Sequence, residues 1–377
     1  MSVLQGLRVV EIAGIGSGPF CGMLLADLGA DVIAVERPAP LPGQARPMEI
    51  VHRGKRSVAL DLKHPRSRDV VLGLLDGADV LIEGMRPGVM ERLGLGPEDC
   101  LARRPQLVYG RMTGWGQDGP LAQVAGHDSN YIALSGALWY ASPPGEAPVA
   151  PPTLVGDIGG ALYLAVGLLA AVLQARTSGR GQIVDAAIVD SSAHMMNLLL
   201  GVVAGRDGTF ARGDSLLDGG HWAHSYRCAD GHWVNVAALE AHFHAELMQR
   251  LGLAGDPRFA DQMDRSHWPA QRQALAEVFA LKTRDEWCRL LEGSDACFAP
   301  VHRPDEAARH PHMATRAVYA APGGVLQAAP APRFSAAPAP ALAAVPPLGR
   351  HTDEILTLAG CSPADIEALK ASGATHA

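Results

Sequence analysis

The six cysteines at 21, 100, 228, 288, 297 and 361 are scattered through 377 residues, with no C-x-x-C and no tight grouping with histidine. That spacing excludes a zinc ribbon and a disulfide frame, and fits reduced thiols in a cytosol; no metal site is expected. Positive charge is not in excess: the formal net charge is −7 and the pI about 6.1. A nucleic-acid partner is therefore not expected, although a local basic patch is compatible with that balance. The opening Met1-Ser2-Val3-Leu4-Gln5 has no basic stretch leading into an apolar run, so no secretory signal is read and a cytoplasmic location is expected. Nor is there a long clean apolar span. The longest, Ile158 to Ala175, is interrupted by glycines and Tyr163 and stops at Arg176. It sits at the short edge of the roughly 17–25 residues a membrane helix needs. We read it as a helix buried between a sheet and a partner subunit, with no membrane involved.

What is present is a regular alternation. Leu7–Ile12, Asp31–Glu36, Ser57–Leu62, Val80–Glu83, Leu107–Gly110 and Gly179–Ala186 read as strands, with helices over Pro19–Leu28, Arg66–Asp76, the Ile158 run and Ser191–Val203. Strands alternating with helices predict an α/β fold with a doubly wound, Rossmann-like, mostly parallel sheet. The pattern then changes. Ser225–Val236 reads as a hairpin turning at Asp230-Gly231, followed by helices over Ala241–Leu251 and Trp268–Leu281. The expected organisation is a large domain over 1–205 and a smaller α+β domain over 215–315. A Pro/Ala-rich, solvated tether over 320–347 then leads to a C-terminal helix within 348–377 that returns to the large domain.

Three features carry chemistry. Gly14-x-Gly16 with Glu36 at the end of the second strand imitates a dinucleotide fingerprint, but Pro19 stands where the third glycine belongs. Second, Arg37, Arg53, Lys55, Arg56, Lys63, Arg66 and Arg68 crowd a short stretch, with Arg86 and Arg92 further on. A solvated helix face accounts for Arg66 and Arg68. Arg37, Lys63 and Arg86 fall at or past strand carboxyl ends, where open α/β sheets bind ligands, and predict a phosphorylated ligand. Third, Gly126-His127-Asp128 and Gly156-Asp157 each place an ionisable side chain after a glycine and before a helix. Both fit helix N-caps. Taken together they also suit a reaction that removes a proton from carbon on one face and returns it on the other, with neutral His127 as base and an Asp157 of raised pKa as acid. Glu240, on the smaller domain, could orient the histidine or be an ordinary surface acid.

At these residues the chain resembles the α-methylacyl-CoA racemases of the class III CoA-transferase superfamily, over nearly its whole length. The likeness runs through Leu7–Glu11, Leu25–Val32, Arg53–Ser57, Leu60–Lys63, Arg86-Pro87-Gly88, Gly114–Pro120 and Pro347–Glu354. Its subfamily mark is Gly126-His127-Asp128-Ser129-Asn130-Tyr131, matching the racemases' Gly-His-Asp-x-Asn-Tyr. The resemblance implies His127 and Asp157 as the two bases, Glu240 as the acid paired with the histidine, and no cofactor beyond the coenzyme A of the substrate. It implies CoA contacts from Arg37, Leu60, Asp61, Leu62, Lys63, Gly84, Met85, Arg86, Arg92 and the segment Gly126–Tyr131. It also implies an interlocked homodimer, with each site between one subunit's large domain and the other's small one. In transferases of the superfamily the counterpart of Asp128 takes the acyl group covalently, so a CoA-transferase is the alternative; a silent acyl-CoA binder is a third reading, opposed by the intact His127, Asp157 and Glu240. Two departures, His221-Trp222-Ala223-His224 after Leu217–Gly220 and Ala241-His242 after Glu240, are expected to border the acyl pocket. They leave open whether the acyl group is a branched fatty acid, a steroid side chain or a terpenoid.

Overall fold

Short apolar runs alternating with helices build a six-stranded sheet in the computed structural model of the chain, which describes residues 2–38, 49–205, 209–337 and 341–375. Strands β1 (Arg8–Ile12), β2 (Asp31–Glu36), β3 (Arg56–Ala59), β4 (Val80–Glu83), β5 (Val108–Thr113) and β6 (Ile183–Ala187) lie in the order β3-β2-β1-β4-β5-β6. All five pairings are parallel. The connections carry α1 (Ser17–Asp27), α2 (Ser67–Leu75), α3 (Val89–Arg92), α4 (Pro97–Arg103), α5 (Asp128–Ser135) and α6 (Gly159–Ser178). Covered on both faces, the central strands consist of near-continuous Val, Ile and Leu.

One face buries Val10, Ile33, Leu81 and Tyr109 under Val71 and Leu74 of α2 and under Ile355, Leu356, Ile366 and Leu369 from the end of the chain. The other buries Val9, Val32, Ile82 and Val108 under Leu25 of α1 and Leu164 and Leu168 of α6. Only one side of α6 is covered: Leu162, Val166 and Leu173 are exposed. Strand order reverses between β1 and β4, and the crevice at such a switch point, beyond the strand carboxyl ends, is where this architecture takes its ligand.

The chain divides into two compact units: residues 1–137, 151–194 and 320–377, and residues 138–150 with 195–319. The boundary differs from the one read from sequence. The helix expected over 191–203 is two, Ile188–Met195 and Asn197–Ala204, which fall in different units, and the loop 138–150 belongs with the second. The second unit holds an antiparallel sheet of β7 (Ala223–Arg227), β8 (Trp233–Ala237) and β9 (Phe298–Val301). Its core is built on Trp222, Trp268, Phe279 and Trp287, with the helices Ala241–Leu251, Trp268–Phe279 and Arg284–Leu291.

The single C-terminal helix of the sequence reading is a pair, Thr352–Leu358 and Pro363–Ala371, separated at Gly360, whose φ of +89° favours glycine. This segment covers the open edge of β3. Ser57 N–H donates to His351 Nδ1 at 3.1 Å, Ala59 N–H to Thr352 Oγ1 at 3.3 Å, and Asp61 N–H to the Ala374 carbonyl at 2.8 Å. The Pro/Ala stretch is not wholly solvated. Gln327 is buried, and Arg53 donates to its Oε1 and to the Ala328 carbonyl. Residues 338–340 of that tether lie outside the described residues.

Candidate functional site

A cavity of about 630 Å³ opens beyond the carboxyl ends of β1, β2, β4 and β5. Of the residues singled out from sequence, Arg37, Gly84, Met85, Arg86, Gly126, His127, Tyr131 and Asp157 line it. Leu60, Asp61, Leu62, Lys63, Arg92, Asp128, Ser129 and Asn130 are not among its walls. Leu60 is a core residue, while Lys63 and Arg92 stand exposed.

His127 and Asp157 reach the cavity from helix starts. His127 is the N-cap of α5, with extended φ and ψ of −135° and 173°. Its backbone N–H donates to Asn130 Oδ1 at 3.0 Å, so an amide side chain closes the helix start beside the imidazole. Asp157 lies in a π-helical turn, Leu154–Ile158, that feeds α6. That turn begins at Thr153, whose φ of +64° is a strained value for a residue with a Cβ. The helix starts are tied together: Asp157 N–H donates to Asp128 Oδ1 at 2.8 Å. Gly156 makes the approach possible, since a Cβ there would lie 2.4 Å from the same oxygen. Burial pushes the Asp157 carboxyl above its ordinary range, the Asp128 charge adds to this, and a Ser17 hydrogen bond and His127 oppose it. A carboxyl whose pKa is raised is a better match for taking a proton up and giving it back than a free one.

The basic stretch separates into two groups. Lys55 is completely buried and donates to Glu11 Oε2 at 2.6 Å, Glu11 Oε1 at 2.9 Å and the Pro19 carbonyl at 2.9 Å. Arg53 is buried on Asp27, Arg56 pairs with Asp31 and Glu354, Arg66 with Asp365, and Arg68 with Asp69 and Asp99. Arg53, Lys55, Arg56, Arg66 and Arg68 are thus engaged within the fold. Arg37, Lys63, Arg86 and Arg92 form no ion pair among the described residues.

Sequence reasoning missed what fixes the Arg86 loop. Glu83 Oε2 accepts the Met85 N–H at 2.7 Å and its Oε1 accepts Arg111 Nε at 3.0 Å, while Arg111 also reaches Glu91 of α3 at 3.0 Å. Burial raises the Glu83 carboxyl, opposed by the Met85 N–H and by Arg111. The available signal was a carboxylate ending a fully buried strand, which requires buried partners. Ser17, Glu36 and His52, also in the cavity wall, were likewise missed as site residues.

Glu240 lies in the second unit, exposed, as the N-cap residue of the helix Ala241–Leu251. The expectation for His221 and Trp222 is corrected: both are 0% exposed and belong to that unit's core, so neither forms a pocket wall. His221 Nε2 meets His244 Nε2 at 2.6 Å, and burial followed by the neighbouring His244 pushes the His221 imidazole down to about 3. The reason is tertiary: a neutral histidine pair fills an interior position that sequence alone shows only as polar. Ala241 and His242 are exposed.

Residues 4–352 match CoA-transferase family III. Over 368 residues the chain is 41% identical to the α-methylacyl-CoA racemase of Mus musculus, covering 97% of this chain and 95% of that one. For the Homo sapiens racemase the figures are 40% over 370 residues, with 97% and 96% covered. Among solved structures, a CaiB/BaiF family protein from Brucella suis superposes with a TM-score of 0.80 at 28% identity, covering 95% of this chain and 99% of that one.

Proposed function

The chain belongs to CoA-transferase family III, and from that membership and its likeness to the racemases we propose that it inverts the carbon alpha to the thioester carbonyl of 2-methylacyl-CoA esters. The observation that carries the assignment of roles is that His127 and Asp157 enter one cavity from tied helix starts, with Asp157 raised by burial. His127 takes the α-proton of the 2S epimer as its C–H bond breaks, and the electron pair passes into the thioester carbonyl as an enolate. Asp157 then delivers a proton to the opposite face; for the 2R epimer the roles exchange. Asn130 and Tyr131 N–H turn back to the His127 carbonyl. The N–H groups of Asp128 and Ser129, in the first turn of α5, remain as donors for the enolate oxygen. Such fixed donors contribute roughly 3–4 kcal/mol each.

Arg37 and Arg86, cavity residues without an ion pair among the described residues, receive CoA phosphates, with Lys63 and Arg92 further out and the Leu60–Lys63 backbone alongside. The reaction draws on the thioester's own acidity and calls for no metal, flavin or nicotinamide. Glu240, exposed on the second unit, pairs with His127 of a second copy in an interlocked homodimer. The bare apolar side of α6, with Leu162, Val166 and Leu173, is the surface such a copy covers.

The test is incubation with a 2-methylacyl-CoA in deuterated water and no acceptor acid. Deuterium is expected at C2. His127→Ala and Asp157→Ala should each slow exchange by about 10²–10⁴-fold, with thioester affinity within a few-fold. Turnover that depends on a free carboxylic acid and on Asp128, with both base variants near wild type, would establish the transferase instead.

A further inference from the structure

The Gly14-Ile15-Gly16-Ser17 turn, which from sequence imitates a dinucleotide fingerprint, has a different occupant. It follows β1 and starts α1, and the group facing it is the Asp157 carboxylate. Ser17, only 4% exposed, brings its Oγ to 3.4 Å from Asp157 Oδ1. Gly16, at φ +77°, presents no Cβ to the other oxygen, where one would lie 3.3 Å from Oδ2. Beneath the turn, Lys55 Nζ holds the Pro19 carbonyl at 2.9 Å and anchors the first turn of α1 to the sheet.

We infer that this turn is a seat for Asp157 and that Ser17 is a positioning residue, its hydroxyl orienting the carboxylate toward the reacting carbon. The inference rests on Asp157 being one of the two bases. Three features bear on the carboxylate besides the seat. Asp128 accepts its backbone N–H and opposes its ionisation, His127 favours ionisation, and Tyr131 is itself raised in part by the Asp157 charge. Of these groups it is Ser17 whose hydroxyl donates to the ionised carboxylate. Removing such a donor leaves the carboxylate harder to ionise.

The experiment is the pH profile of kcat/KM for racemisation. One proton shared by His127 and Asp157 gives a bell whose two limbs belong to the pair. Ser17→Ala should move the acid limb up by about half to one pH unit, leaving the alkaline limb and KM in place. Ser17→Thr, which keeps the hydroxyl, should restore the wild-type limb. If alanine fails to fold, the isosteric pair Ser17→Thr and Ser17→Val makes the same comparison. An unmoved acid limb, together with Asp157→Asn abolishing turnover, overturns the seat and leaves the base assignment standing. Turnover retained in Asp157→Asn overturns the base assignment itself.

Discussion

Lys55→Met tests whether the buried pair under α1 carries the weight its geometry implies. Lys55 and Glu11 are both fully buried, and all three ammonium hydrogens have acceptors, two on Glu11 and one on Pro19. Truncating one partner leaves an uncompensated buried carboxylate, which costs about 3–5 kcal/mol. With an m-value near the upper end of the usual range, about 3 kcal/mol per molar urea, the midpoint of the first unit's transition falls by about 1–2 M. Far-UV circular dichroism at one fixed protein concentration measures this, the concentration being held because any association adds to apparent stability. The loss also depends on pH. Burial already raises Glu11 in the wild type, and without Lys55 its folded-state pKa rises further. A carboxyl raised in the folded state contributes stability that is full below its unfolded pKa and lost as pH rises through the folded value. The gap between variant and wild type should therefore be wider at pH 8 than at pH 5.5. The double variant Glu11→Met/Lys55→Met should recover most of the loss, since no charge is left stranded. A single variant within 1 kcal/mol of wild type, a gap indifferent to pH, or a double variant worse than the single would refute the reasoning.

Arg37→Ala should raise KM for the CoA ester more than it lowers kcat, because phosphate contacts hold ground and transition states alike. On the same acyl group carried by pantetheine, wild type and variant should nearly coincide, and an equal loss on both substrates would remove Arg37 from the phosphate site. Val166→Glu, placing a charge on the bare side of α6, should halve the mass seen by light scattering and remove activity. A mass unchanged from wild type would mean that another surface makes the contact.

The strands were legible because a doubly covered parallel sheet leaves continuous apolar runs: β1, β2 and β4 fall within a residue of the segments read from sequence. His127 and Asp157, the two proposed bases, were legible as ionisable residues between a glycine and a helix. Arg53 and Lys55 were not legible as structural, because their partners Asp27 and Glu11 are 26 and 44 residues distant and only the fold brings them together. Ser17 was hidden by the opposite problem: its turn looked like a motif with a different ligand, and the occupying carboxylate comes from 140 residues away. The helix Arg284–Leu291 was missed despite a readable start, for Thr283 and Glu286 form a capping box. His221 and Trp222 were misplaced because an interior histidine pair has no pattern in one dimension.

The covering of β3 by the end of the chain sets an order of events during synthesis. The second unit is drawn from residues 138–150 and 195–319, so all of it has been made once Tyr319 is added. The first unit, which carries both proposed bases, then still lacks Ile355, Leu356, Ile366 and Leu369 from its core. Its β3 edge also lacks the partners supplied by His351, Thr352 and Ala374. An unpaired parallel edge is a template for pairing with other chains. The nascent protein thus holds a finished later unit beside an unfinished earlier one, reversing the usual progression from the N-terminus. The crevice proposed to receive the thioester completes its scaffold after the second unit, and a chain cut short before His351 keeps one sound unit and one sticky edge.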